Sequence, residues 1–217
     1  MDWKLHLILV QLSRYLVDAL KKENVMLSQV SSKQDLSLRI MGVDPGTENL
    51  GMSLGVCDFM TPKYNIIDAS TFDIKHLIHK TNSYLTQYHS RNIAMYTAVY
   101  QLVHQAVHDL QPDLVICESP YMDRRFPLSY MLLSLCSQAV EQAVKDYSIF
   151  IPFEYIDPAS AKKGVGVKGN NGDKELMKDA ILSNKLITGS IDLSLLDEHA
   201  IDSIGIGYNG FLGILNA

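Results

Sequence analysis

Apolar and polar positions along this chain change their period several times, and each change predicts an element. Leu5, Ile8, Leu9, Leu12, Leu16 and Leu20 recur at helical spacing and predict an amphipathic helix. Its apolar stripe has to pack on something: its own domain, a partner subunit or an accessory protein. Residues 23–37 are polar and read as a linker, which divides the chain into an N-terminal helix and linker (1–37) and a main domain (38–217). Leu38 to Val43 predicts a strand, closed by the Pro45-Gly46 turn. Gly51 to Asp58 and Tyr64 to Phe72 predict two more, close enough together to form an antiparallel meander.

Residues 73–92 are mixed and polar, with several histidines, and predict no regular element. Met95, Val99, Leu102, Val103, Ala106 and Leu110 then mark one side of a helix over 93–110, which Pro112-Asp113 ends. Leu114 to Cys117 is continuously apolar and stops on Glu118, the pattern of a strand buried on both faces. A long helix is predicted over 128–146, a strand over 149–156, a glycine- and lysine-rich loop over 157–173, and helices over 174–184 and 197–215. Strands first and helix–strand alternation afterwards argue for a mixed α/β sheet covered by helices.

Composition narrows this only a little. The length of 217 residues suits one domain with an appendage, and 47% hydrophobic residues are enough for a core. A net charge of −5 gives no hint of nucleic acid. The apolar run Leu7 to Val10 is too short for a signal-peptide core or a membrane span. Cys57, Cys117 and Cys136 are odd in number and unpatterned, which suggests free thiols in a reducing, cytoplasmic compartment and no zinc site.

Two strands end on acids, Asp44 after RIMGV and Glu118 after LVIC. If these strands are parallel neighbours, both carboxylates lie at the carboxyl edge of the sheet, where open α/β sheets carry their ligand sites. In the last helix His199 and Asp202 are three residues apart and share a face, and the apolar stripe after Asp202 would dock that face on the sheet. Clustered carboxylates repel one another and invite a cation, and hard oxygen donors favour Mg²⁺ or Mn²⁺. Two such ions can support phosphodiester hydrolysis. Each acid also has a plainer reading. Asp44 could simply begin a turn, Glu118 could be a solvated strand end, and Asp197 could be a helix N-cap with His199 exposed in the first turn.

Asp44-Pro45-Gly46 with Gly51 on the next strand, Glu118 ending the fourth strand, and His199-Ala200-Ile201-Asp202-Ser203 together resemble the RuvC family of Holliday-junction resolvases. The resemblance runs from about Ile40 to Tyr208. It implies an RNase H-like fold: a mixed five-stranded sheet, the first three strands antiparallel and the later ones parallel, flanked by helices. It implies a Mg²⁺-dependent endonuclease that cuts four-way DNA junctions, Mn²⁺ being able to substitute, with Asp44, Glu118, His199 and Asp202 as catalytic and metal-binding set. That family holds either aspartate or histidine at the position of His199.

Three residues after the glutamate, Tyr121 matches the family's aromatic contact to junction bases. Lys163 and Lys174, eleven residues apart in and after a glycine-containing loop, match a conserved-spacing lysine pair of the family, with Lys174 a catalytic candidate. Lys162, Lys168, Arg124 and Arg125 add positive charge next to the proposed site, where local field matters more than net charge. The resemblance further implies a homodimer on branched DNA, with no membrane, the helix after Glu118 serving both core and dimer contact. The first 37 residues have no counterpart in the bacterial resolvases and the region 73–92 is expanded relative to them, which points to a divergent viral or bacteriophage branch. Two other readings compete: a related nuclease acting on flaps or forks, and a non-catalytic junction-binding protein. An actin-like ATPase, which shares the Asp-x-Gly turn, would need a second such turn, and none is found.

Overall fold

A computed structural model describes residues 37–58, 61–80, 83–122, 125–167 and 174–216. The N-terminal helix expected over the first twenty residues lies outside the described residues, as do Arg124 and Lys168. Of Lys174 the backbone is described but not the side chain.

Six strands form one sheet in the order β5-β4-β1-β2-β3-β6: β1 (Ser37–Asp44), β2 (Asn49–Asp58), β3 (Lys63–Asp73), β4 (Leu114–Glu118), β5 (Phe153–Ile156) and β6 (Ile187–Gly189). β1, β2 and β3 are the expected antiparallel meander, and β4 and β5 extend it in parallel beside β1. This is the mixed sheet read from the sequence, with one short addition: β6 pairs in parallel with β3 at the far edge.

The helices are α1 (Ile74–Lys80), α2 (Ser83–Tyr88), α3 (Arg91–Leu110), α4 (Pro127–Tyr147), α5 (Pro158–Gly164), α6 (Lys174–Ser183) and α7 (Glu198–Leu215). Two core layers result. On one face α3 and α4 bury Val99, Val103, Val140 and Val144 against Met41, Val43, Val115 and Cys117. On the other, α7 buries Ile204 and Phe211 against Leu38, Ile40, Leu114 and Ile116. Side chains alternate across a strand, so β1 and β4 feed both layers. That is why their sequences are continuously apolar rather than alternating.

Three expectations need correction. Residues 157–173 are not all loop: Asp157 caps α5, its side chain accepting the Ser160 N–H at 2.9 Å, and Pro158 occupies the first turn. An Asp-Pro pair of this kind starts helices well, because proline lacks only a hydrogen bond that the first turn never makes. The strand expected over 149–156 begins only at Phe153, after a turn in which Ile149 and Phe150 are exposed. The polar region 73–92 folds into α1 and α2. Among the described residues no helix is long and apolar enough to cross a membrane, and all three cysteines are buried and free.

Candidate active site

Asp44 and Glu118 close two adjacent parallel strands. Val43 pairs with Cys117, so the two carboxylates follow at the same sheet edge. α7 delivers the other half of the site. Asp197 is its N-cap and accepts the Ala200 N–H at 3.1 Å, while Thr71 at the end of β3 donates its hydroxyl to the same oxygen. The cap fixes where the helix begins, and hence that His199 and Asp202 face the sheet edge. Asp197, read from the sequence as a possible N-cap, is therefore occupied with the helix backbone.

Two glycines allow α7 to sit this close. A Cβ at Gly42 would overlap the carbonyl oxygen of Ser203, and one at Gly51 would overlap that of His199. The glycine on the second strand thus has a steric reason: the first turn of α7 rests on the backbone of β2. This seats His199 against Asp44, with Nδ1 donating to Asp44 Oδ2 at 2.9 Å. Asn49, at the start of β2, donates its side-chain N–H to His199 Nε2 at 3.4 Å. Sequence reasoning missed Asn49, which carries no charge and belongs to no motif.

The electrostatics are those of crowded acids. Burial, then the charges of Asp44 and Asp202, push the Glu118 carboxyl up to about 8, against which Lys162 acts weakly. Burial, then Asp44, pushes Asp202 up to about 6, with Lys162 and His199 opposing. His199 is raised above the ordinary imidazole value, mainly by its hydrogen bond to Asp44 and despite partial burial. A small cavity of about 110 Å³ lies between these groups, lined by Asp44, Glu118, Asp202, Lys162 and Met177. Among the described residues no three His, Cys, Asp or Glu side chains are already closed to metal-ligand geometry.

The other candidates divide. Lys162 on α5 lines the cavity, whereas Lys163 is exposed and is not part of its lining. Tyr121 is 69% exposed just past β4. Arg125 stands 5.7 Å above the ring of Phe126.

No protein-family model matches the sequence, and no curated protein matches it. Solved structures do. The chain is similar to Thermus thermophilus RuvC, with a TM-score of 0.61 at 15% identity, covering 82% of this chain and 97% of that one. It is similar to T. thermophilus RuvC in complex with a Holliday junction substrate, with a TM-score of 0.57 at 13% identity over 82% and 96% of the two chains. It is also similar to the yeast mitochondrial Holliday junction resolvase Ydc2, with a TM-score of 0.57 at 14% identity over 82% and 80%. At such identities the likeness is one of fold: this chain has the RNase H-like fold of the RuvC-type resolvases.

Proposed function

We propose that this protein is a structure-selective endonuclease that resolves four-way DNA junctions by metal-dependent, paired phosphodiester hydrolysis. The observation that carries the reading is the meeting of Asp44, Glu118 and Asp202 with His199 at one sheet edge, two of the acids held above their ordinary range by burial and mutual repulsion.

That donor set fits a divalent cation. A dipositive ion would offset the repulsion that raises Glu118 and Asp202, and oxygen-rich ligands favour Mg²⁺ or Mn²⁺ over softer metals. Asp44, Glu118 and Asp202 would hold it. When bound, it would supply Lewis-acid stabilisation of the charge on the phosphoryl oxygens. His199 has its Nδ1 proton engaged by Asp44, so Nε2, which accepts from Asn49, would exchange that contact to ligate the cation or take a proton from the attacking water. Lys162, at the cavity wall, adds a fixed positive charge facing the phosphate. The water oxygen bonds to phosphorus and the bond to the 3′ oxygen breaks. The products are a 5′ phosphate and a 3′ hydroxyl, the leaving oxygen having gained a proton. Exposed Tyr121 would stack on a base near the crossing point, a contact worth roughly 1–3 kcal/mol. Arg124, Arg125, Lys163, Lys168 and Lys174 would hold backbone phosphates, and two copies of the chain would cut opposing strands.

The test is a synthetic four-way junction with labelled arms, incubated with Mg²⁺, Mn²⁺ or EDTA, using wild type and Asp44→Asn. Linear duplex, flap and fork substrates run beside it. The expected result is symmetric, metal-dependent nicking of the junction that the variant loses. Preference for flaps or forks would keep the chemistry and replace the substrate. A junction that is bound but never cut would overturn the enzyme reading.

A further inference from the structure

The same sheet edge carries a second, larger concavity. It measures about 590 Å³ and lies between the turn after Asp44, α1, α2, the start of α3 and Leu132 of α4. Its rim holds Lys75, His79 and Arg91, with the polar Thr47, Thr86 and Asn92, and a single carboxylate, Glu48. Its floor is apolar, made by Ile78 and Met95. Lys75, His79 and Arg91 are exposed, and among the described residues none of them has an ion-pair partner. Two full cations facing one carboxylate give the rim a positive balance, although the chain as a whole is acidic.

This concavity is fastened to the catalytic turn. The Ile74 N–H that opens α1 donates to the Glu48 carbonyl at 2.8 Å. Asp73, the last residue of β3, pairs with Asn49, the residue that contacts His199. Thr47 follows Asp44 by three residues, so their Cα atoms are at most about 11 Å apart. Along one strand of a duplex, at 3.4 Å per nucleotide, that span is about three nucleotides. The first N–H groups of α3, a 20-residue helix capped by Ser90, point their positive end at the same rim.

We propose that this pocket binds the sugar–phosphate backbone of the cleaved DNA strand, within a few nucleotides of the position held at Asp44. The inference rests on the reading of the carboxylate site as a junction nuclease and names a strand contact for it that no catalytic residue supplies. Lys75 and Arg91 each neutralise one phosphate, and the α3 N-terminus assists. α1 and α2, in the region where the sequence predicts no element, build the wall that carries this charge.

Junction binding measured against salt tests it, in an Asp44→Asn background so that the DNA stays whole. Each phosphate contact contributes about 0.9 to the slope of log K against log salt. Lys75→Gln with Arg91→Gln should lower the slope by about 1.8 and weaken binding at 0.1 M salt roughly tenfold or more. Lys63→Gln with Lys185→Gln removes the same charge from exposed sites at the opposite end of the sheet, and should leave the slope nearly unchanged. All four side chains are exposed, and circular dichroism verifies that each variant is folded. A slope equal in the two double variants would overturn the pocket assignment. A parent protein with no preference for the junction over linear duplex would instead overturn the junction-selective reading on which it rests.

Discussion

His199 Nδ1 lies 2.9 Å from Asp44 Oδ2, across 155 residues of sequence, and this bond joins the first strand of the sheet to the last helix. It is also the main cause of the raised pKa of His199. Asp44→Asn keeps an acceptor in place and removes its charge, so the His199 pKa should fall toward the ordinary imidazole value, as read by NMR titration of the ring. Adding Mg²⁺ to wild type should move the same resonance in the same direction, because a cation held by Asp44 competes for that carboxylate. His199→Ala should lower junction cleavage by about a hundredfold, roughly 3 kcal/mol of barrier. His199→Asp, an oxygen donor at the same position, should restore part of it. An unmoved His199 titration in Asp44→Asn would show that the pairing does not control the imidazole.

Glu118 gives a stability prediction of definite sign. Its carboxyl is raised from 4.5 to about 8 in the folded protein, so between those values the folded state binds a proton that the unfolded state has released. The metal-free protein therefore keeps its stability below about pH 4.5 and loses it as pH rises through 8. Glu118→Gln abolishes this loss. The variant should melt higher than wild type at pH 8 in EDTA, by roughly 2–4 °C for each kcal/mol recovered, with no gain at pH 4.5. It should also be inactive. Thermal melts at the two pH values check it, and a gain independent of pH would assign the effect to packing.

The parts of this site that the sequence made legible are those written in strong local patterns. The apolar runs ending on Asp44 and Glu118 could be read as neighbouring strand ends because a strand buried on both faces leaves no polar positions except at its tip. Asp197 was readable as a cap for a similar local reason. Lys162 was harder. Successive residues on a helix point about 100° apart, so whether Lys162 or Lys163 faces the carboxylates depends on where α5 starts. Glycine- and lysine-rich composition concealed the Asp157-Pro158 start signal. α1 and α2 span seven and six residues, and β6 three, too few for any period to stand out. Asn49 acts through a contact with a residue 150 positions away, which no local pattern records.

Gly51→Ala tests the seating of α7. The added methyl would meet the His199 carbonyl, and a helix backbone cannot rotate away as a side chain can. Overpacking of this kind costs about 1–3 kcal/mol, so the melting temperature should drop by several degrees. Cleavage should fall further than stability alone explains, because a shift of about 1 Å in His199 and Asp202 can cost about a hundredfold. The useful comparison is junction affinity, which should stay close to wild type. A variant with wild-type turnover would show that the approach of α7 to β2 is not what positions the acids.

The first turns of α4 carry an apolar surface that its own fold leaves open: Leu128 is 64% exposed and Met131 44%, three residues apart on one face, with Phe126 beside them at 59%. Further along the same helix Val140, Ala143 and Val144 are buried in the core, so the two ends of α4 have different surroundings. Exposed apolar patches of this kind mark contact sites, and a self-complementary contact gives a two-fold dimer. Leu128→Glu with Met131→Glu should halve the mass found by analytical ultracentrifugation and leave the circular dichroism spectrum unchanged, since neither side chain is in the core. The functional consequence follows from symmetry. On a plasmid carrying an extruded cruciform, a dimer makes two opposed nicks in one encounter and yields linear DNA, whereas a monomer yields nicked circles. Wild type should give linear product and the double variant nicked circles. Linear product from both proteins, or a wild type that sediments as a monomer on and off DNA, would remove α4 as the dimer contact.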